Sequence, residues 1–244
     1  MADWPHGYTR HVFDTLDSTL SEAARIAPGL QGPAWILAQE QTAARGRRGR
    51  AWSTPRGNFA GTLIMRMNGS PADAALHSFV ASLALYEAFV EVTGKADAFA
   101  LKWPNDVLLN GGKVAGILLE TLGANLVIGI GVNLAHAPTP EQVEQGAVTP
   151  VSVIEETGVS VAPEAFLDAV AAAFARLEAQ FVIYGFSPIR TAWLSHAARI
   201  GEVVTARTMR DETVGVFEDV DASGNLILRT PKGAVSITAA DVYF

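Results

Sequence analysis

Apolar positions recur along this chain with two different periods, and the changes of period mark its elements. Leu20, Ala23, Ala24 and Ala27 return at helical spacing behind Thr19-Leu20-Ser21-Glu22, a T-x-x-E pattern that matches a capping box, and Pro28-Gly29 stops the run. A longer helical stripe of Leu76, Phe79, Val80, Leu83 and Val90 starts at Ser70-Pro71-Ala72-Asp73 and closes at Gly94. Proline in its first turn and an acid near its positive end suit that start, and glycine suits the close. Thr149-Pro150 and Pro163 predict two more helices, the second carrying Phe166, Val170, Phe174, Leu177 and Phe181 toward a core. Ser187-Pro188 predicts a last helix ending near Ala198. Shorter apolar runs at 11–13, 34–38, 59–67, 99–102, 107–109, 113–121 and 126–134 read as strands. Asn110-Gly111-Gly112 is a hairpin turn, and hairpins favour a mixed or antiparallel sheet over a doubly wound parallel one.

From residue 201 the pattern shifts to short β-rich pieces, at 203–206, 213–217, 226–228 and 234–237, separated by turns such as 221–225. That predicts a small β-barrel. The expected architecture is α+β: a mixed-sheet main domain over 1–198 and a C-terminal barrel over 199–244.

Composition narrows the function classes. The chain has 244 residues, a formal net charge of −7 and 49% hydrophobic residues, with no low-complexity tract or repeat. An acidic chain is a poor general nucleic-acid binder, which needs a broad basic surface. The absence of cysteine excludes disulfides, thiolate zinc sites and a cysteine nucleophile. The N-terminus has no signal-peptide pattern, and no stretch reads as membrane-spanning, so the expected location is the cytoplasm.

Against this acidic background, residues 41–57 hold five arginines and no acid. Concentrated charge with Gly46 and Gly49 between the arginines fits an anion clamp, because guanidinium forks match phosphate oxygens and glycine lets backbone approach closely. Charge pattern alone fits a solvated basic loop equally well. Lys102-Trp103-Pro104-Asn105-Asp106 sets a cation, an aromatic, an amide and a carboxylate beside apolar runs, which by itself favours a Pro-bent turn with Lys102 and Asp106 in structural ion pairs over chemistry. Lys113 opens an apolar strand, and Asn133 closes Gly129-Ile130-Gly131-Val132-Asn133. No Walker phosphate loop, dinucleotide fingerprint, G-x-S-x-G elbow or H-E-x-x-H is present, and the five histidines (6, 11, 77, 136, 196) read as structural or surface groups.

Taken jointly, Asp17-Ser18-Thr19, Gln41 with Arg45-Gly46-Arg47-Arg48-Gly49-Arg50, the Lys102–Asp106 block, Lys113-Val114-Ala115-Gly116 and the 129–133 block resemble the biotin–protein ligase family, over essentially the whole chain. The resemblance implies a catalytic domain of the biotin/lipoate ligase type followed by an SH3-like β-barrel. It implies a ligase that joins biotin to ATP as biotinyl-5′-AMP, releases pyrophosphate, and passes biotin to a lysine of a biotin carboxyl carrier domain. Biotin, ATP and Mg²⁺ are the small molecules it implies. Ser18, Thr19, Gln41, Arg45, Gly46, Arg47, Lys113 and Gly116 would contact biotin, with Lys113 and Arg47 catalytic. Arg50, Asn105, Asp106 and Asn133 would bind ATP, and Asp106 would help hold Mg²⁺. Arg48 takes no role and is expected to be solvated.

Two positions depart from the family pattern: Ala44 stands where the loop usually begins with glycine, and Leu20 where Ser-Thr is usually followed by Asn. With the catalytic part starting almost at Met1, a ligase without DNA-binding repressor activity is expected; monomer and homodimer stay open. Lipoate–protein ligase is the rival reading. The related octanoyltransferases use a cysteine this chain lacks, and a nucleic-acid module is disfavoured by seven acids to four bases between Gly201 and Phe244.

Overall fold

The computed structural model describes residues 3–50, 52–67, 69–139, 142–143, 148–208 and 211–244; the side chains of Arg47 and Pro71 lie outside the description. The first sheet has seven strands. In chain order they are β1 (Thr9–Leu16), β2 (Ala34–Gln41), β3 (Phe59–Arg66), β4 (Phe99–Lys102), β5 (Asp106–Leu109), β6 (Gly112–Leu122) and β7 (Asn125–Val132). They lie in the order β1-β2-β3-β7-β6-β5-β4. Only β1 and β2 pair in parallel; every other neighbour is antiparallel. This is the mixed sheet that the hairpin signals predicted.

Paired residues in neighbouring strands point to the same face. One face presents Trp35, Leu37, Leu63, Met65, Ile128 and Ile130 to helices α2 (Pro71–Thr93) and α4 (Pro163–Tyr184). Edge-on aromatic contacts lock the layers together, Trp35 with Phe174 and Phe59 with Phe166. Helix α2 is long and apolar enough to cross a bilayer, yet 67% of its most apolar window is buried. It lies between the sheet, α4 and helix α5 (Phe186–Leu194), which explains an apolar character on nearly every side. Its ends follow local chemistry: Ser70 and Asp73 form a reciprocal capping box, and Gly94 closes it at φ 69°.

The opposite face is only half covered. Helix α1 (Thr19–Ile26) packs Leu20 and Ala23 on Ile36, Ile64 and Val127. Beyond it the same face carries Gly116, Gly129 and Gly131, and this uncovered floor becomes the candidate site.

The C-terminal strands β8 (Val203–Arg207), β9 (Glu212–Val220), β10 (Leu226–Thr230), β11 (Gly233–Ile237) and β12 (Asp241–Tyr243) form an antiparallel sheet in the order β11-β10-β9-β8-β12. This is the sheet on which the expected barrel is built.

Two local expectations fail. The T-x-x-E capping box does not form: Ser18 is the N-cap and makes no side-chain cap bond, because the Thr19 hydroxyl is drawn to Gln41 and Glu22 pairs with Arg25. Thr149-Pro150 starts no helix; Pro150 bridges to Lys113, and α3 (Val153–Thr157) begins behind Ser152 instead.

Candidate active site

A cavity of about 660 Å³ opens over the uncovered floor. Gly116 pairs with Gly131 across β6 and β7, and Gly129 pairs with Thr62 of β3. Missing side chains make the space. A Cβ at Gly129 would come within 2.9 Å of Leu20, and one at Gly116 within 3.4 Å of the Trp52 ring. A Cβ at Gly131 would overlap the Trp52 indole, so that ring lies directly on the floor. Leu20, the departure from the family pattern, therefore supplies apolar wall.

One side of the cavity is a neutral hydrogen-bond chain. The Thr62 hydroxyl donates to Thr19 Oγ1 at 2.8 Å. The Thr19 hydroxyl and backbone N–H both donate to Gln41 Oε1, at 3.1 and 2.8 Å. Gln41 Nε2 then donates to Thr54 Oγ1 at 3.0 Å. This chain fixes which way the Gln41 amide faces, and preorganised donors and acceptors are what recognition of a polar ring requires. Ser18 is buried beside it.

Toward β5 and β6 the cavity becomes charged. Lys113 Nζ lies 2.7 Å from Asp106 Oδ1 and 5.8 Å from the Trp52 ring centroid. Lys102, directly opposite Asp106 in the β4–β5 register, places its Nζ 3.7 Å from Oδ2. Two ammonium groups therefore lie against one carboxylate. Asp106, expected to help hold Mg²⁺, is here held between two ammonium groups, a poor setting for a divalent cation.

The Asn105 side-chain amide donates to the Ile117 carbonyl, and the Asn105 backbone carbonyl accepts from Ile117 N–H at 3.0 Å. Asn133, 2% exposed, donates to the Val151 carbonyl at 3.1 Å. Both amides line the cavity from fixed positions.

The arginine loop runs across the mouth. Gly46 N–H bonds to Arg50 O at 2.7 Å and Trp52 N–H to Ala44 O at 3.1 Å, folding the loop on itself. Arg48 and Gly49 take positive φ, 57° and 72°. Gly46 does not, contrary to the freedom expected there, and neither does Ala44, so alanine is unstrained at the departing position. One terminal nitrogen of Arg45 donates to both carboxylate oxygens of Glu120 on β6, at 2.8 and 3.0 Å. Arg48, expected to be solvated, bonds to Asp241 of β12 at 2.7 Å, with Arg50 3.5 Å from the same oxygen. The Arg47 side chain, expected to be catalytic, lies outside the described residues.

The fold thus gathers Ser18, Thr19, Gln41, Arg45, Gly46, Arg50, Asn105, Asp106, Lys113, Gly116 and Asn133 around one cavity. Beyond those expected from the sequence, Trp52 and Asp241 also line it, and Thr54, Thr62 and Glu120 bond to lining residues from behind. Trp52 carried a faint signal, an aromatic directly behind a Gly/Arg loop. The acids carried none, because their partners are far away in sequence. None of the five histidines lines the cavity; His196 stacks on Tyr86 and His77 lies between α2 and α4.

A family model described as the biotin/lipoate A/B protein ligase family matches residues 12–133, and one described as the biotin protein ligase C-terminal domain matches residues 200–244. A biotin–[acetyl-CoA-carboxylase] ligase of Paracoccus denitrificans is 58% identical over 233 residues, covering 93% of this chain and 97% of that protein. A bifunctional ligase/repressor of Bacillus subtilis is 30% identical over 240 residues, covering 94% of this chain and 72% of its own length. In fold, the chain is similar to biotin protein ligase from Aquifex aeolicus in complex with biotin and ATP, with a TM-score of 0.84 at 23% identity, covering 96% of this chain and 97% of that one.

Proposed function

The chain belongs to the biotin/lipoate protein ligase family, and from that premise we propose how its own residues carry out ATP-dependent biotinylation of a protein. It is a biotin–protein ligase. The biotin carboxylate oxygen attacks the α-phosphorus of ATP, the bond to the β-phosphate breaks, and pyrophosphate leaves. A neutral lysine amine of a biotin carboxyl carrier domain then attacks the acyl carbon of biotinyl-5′-AMP. The amide forms, AMP leaves, and the amine gives up a proton.

One observation carries this reading: the cavity joins a neutral hydrogen-bond chain to a cationic end. Thr62 on β3 and Gly116 on β6 are separated by β7, about 10 Å at two strand spacings. That polarity suits a neutral ureido ring, an apolar connecting chain and a reactive carboxylate meeting phosphate. In this reading Ser18, Thr19 and Gln41 hold the ureido head, with Arg45 and Gly46 over it, and the bare strand at Gly116 makes room for it. Lys113 stands where carboxylate and α-phosphate oxygens meet, and its charge offsets the negative charge gathering in the transition state. Arg47 guards the adenylate, Arg50 takes phosphate, and Asn105 and Asn133 face the base. Magnesium, which ATP-dependent adenylation implies, would have to be held mainly by nucleotide oxygens and water, since Asp106 is paired with lysine. The functional division falls near residue 198, and the reaction is cytoplasmic.

The test offers labelled biotin and labelled lipoate with ATP to biotin carboxyl carrier and lipoyl domains, while pyrophosphate is monitored. ATP-dependent labelling of the biotin carrier with pyrophosphate release is expected. Labelling of the lipoyl domain alone would overturn the assignment.

A further inference from the structure

Arg48 and Arg50 meet no acid within their own loop; the acid comes from the far end of the chain. Asp241 opens β12, lines the cavity, and places one carboxylate oxygen 2.7 Å from Arg48 and 3.5 Å from Arg50. Its side chain is 19% exposed, while the two arginines are 43% and 45% exposed. The acid is therefore the sheltered member of the group. Arg48 holds φ 57°, a left-handed conformation unfavourable for a residue with a Cβ, so the ion pair holds the loop where local preference would not.

We propose that Asp241 is a built-in stand-in for the nucleotide phosphates: it holds Arg48 and Arg50 across the cavity mouth when ATP is absent, and the polyphosphate takes its place. This rests on the reading of Arg50 as a phosphate ligand. ATP carries more charge than one carboxylate and offers several oxygens to each guanidinium, so it wins the exchange. Asp241 acts through the arginines and is a positioning residue. It also gives the C-terminal sheet a specific task, setting the affinity of the loop for nucleotide.

The experiment uses the full chain with Asp241→Asn, which keeps the side-chain shape and removes the charge, with Asp241→Ala alongside. Calorimetric titration with ATP should give a dissociation constant about two- to fivefold lower than wild type, the scale of one partly screened charge pair. The biotin constant should move less. Without ligand, trypsin should cut the loop about two- to fivefold faster in the variant, because the same pair no longer holds the loop closed. A residue that merely supports the fold would not tighten nucleotide binding when altered. Weaker or unchanged ATP binding in both variants overturns the proposal. Arg50→Gln separates the two levels of the argument. If it weakens ATP binding while Asp241→Asn fails to tighten it, the stand-in alone is wrong. If Arg50→Gln leaves ATP binding unchanged, the phosphate reading fails and the stand-in falls with it.

Discussion

Lys113 shows how a single position acquires a role from its surroundings. By itself it is a lysine at the start of an apolar strand; in the fold its ammonium is held by Asp106 beside the glycine floor. Replacing it with alanine should lower the rate of adenylate formation by roughly 100- to 1000-fold, the scale of one lost preorganised donor. Single-turnover pyrophosphate release measures that rate, and equilibrium binding of biotin should weaken far less. Equal losses in both would make Lys113 a binding residue only. Gly131 is the complementary case, a residue whose contribution is having no side chain. Gly131→Ala would push a methyl group into the Trp52 indole and displace it from the floor. The expected loss is roughly 10- to 100-fold in kcat/KM for biotinylation with circular dichroism unchanged, as for an ångström-scale misplacement near reacting groups. Wild-type activity in that variant would show that the close packing is not needed.

At the scale of elements, helices α2 and α4 bury a titratable pair far from the cavity. His77 Nε2 lies 3.0 Å from Glu178 Oε2. Burial disfavours a charge on the imidazole, and the Glu178 carboxylate outweighs it, so the His77 pKa is raised above its usual 6.5. The two atoms are close but not aligned as a hydrogen bond, so the attraction between them is one of charge. A histidine pKa raised in the folded state stabilises below about pH 6.5, and that stabilisation is lost as pH rises through the folded value. Denaturant melts from pH 6 upward should therefore show falling stability in wild type, with a shallower slope in His77→Gln. Identical slopes would mean that His77 is not charged in the fold.

For the whole molecule, the informative feature is continuity between the two sheets. One buried cluster runs from Trp35 and Phe174 through Phe79 and Trp193 to Phe217 and Leu228. Trp103, from the Lys102–Asp106 block, donates to the Gly224 carbonyl of the C-terminal sheet at 3.0 Å. A Cβ at Gly224 would come within 3.0 Å of both Leu76 and Phe79, so that turn sits directly on α2. Both sheets should unfold in a single thermal transition. Trp103→Phe should lower that transition by about 1–3 kcal/mol, from one lost hydrogen bond and a small void. Two separate calorimetric transitions in wild type would contradict this coupling.

What the sequence determined by itself was local. Apart from β12 and the helix expected at Thr149-Pro150, the strands and helices followed from hydrophobic period, and the ends of α2 from Ser70, Asp73 and Gly94, because those signals act between residues a few positions apart. The cluster of site residues was legible as five blocks of matching residue types. Only the tertiary structure decided which partners those residues meet. Gln41 captured the Thr19 hydroxyl that an isolated helix would have used as its cap, and pairing with Lys113 held Pro150 out of a helix. Arg45 found Glu120 75 positions away, and Arg48 found Asp241 193 positions away. Those pairings depend on strand order and on how one sheet docks against the other, and local spacing encodes neither.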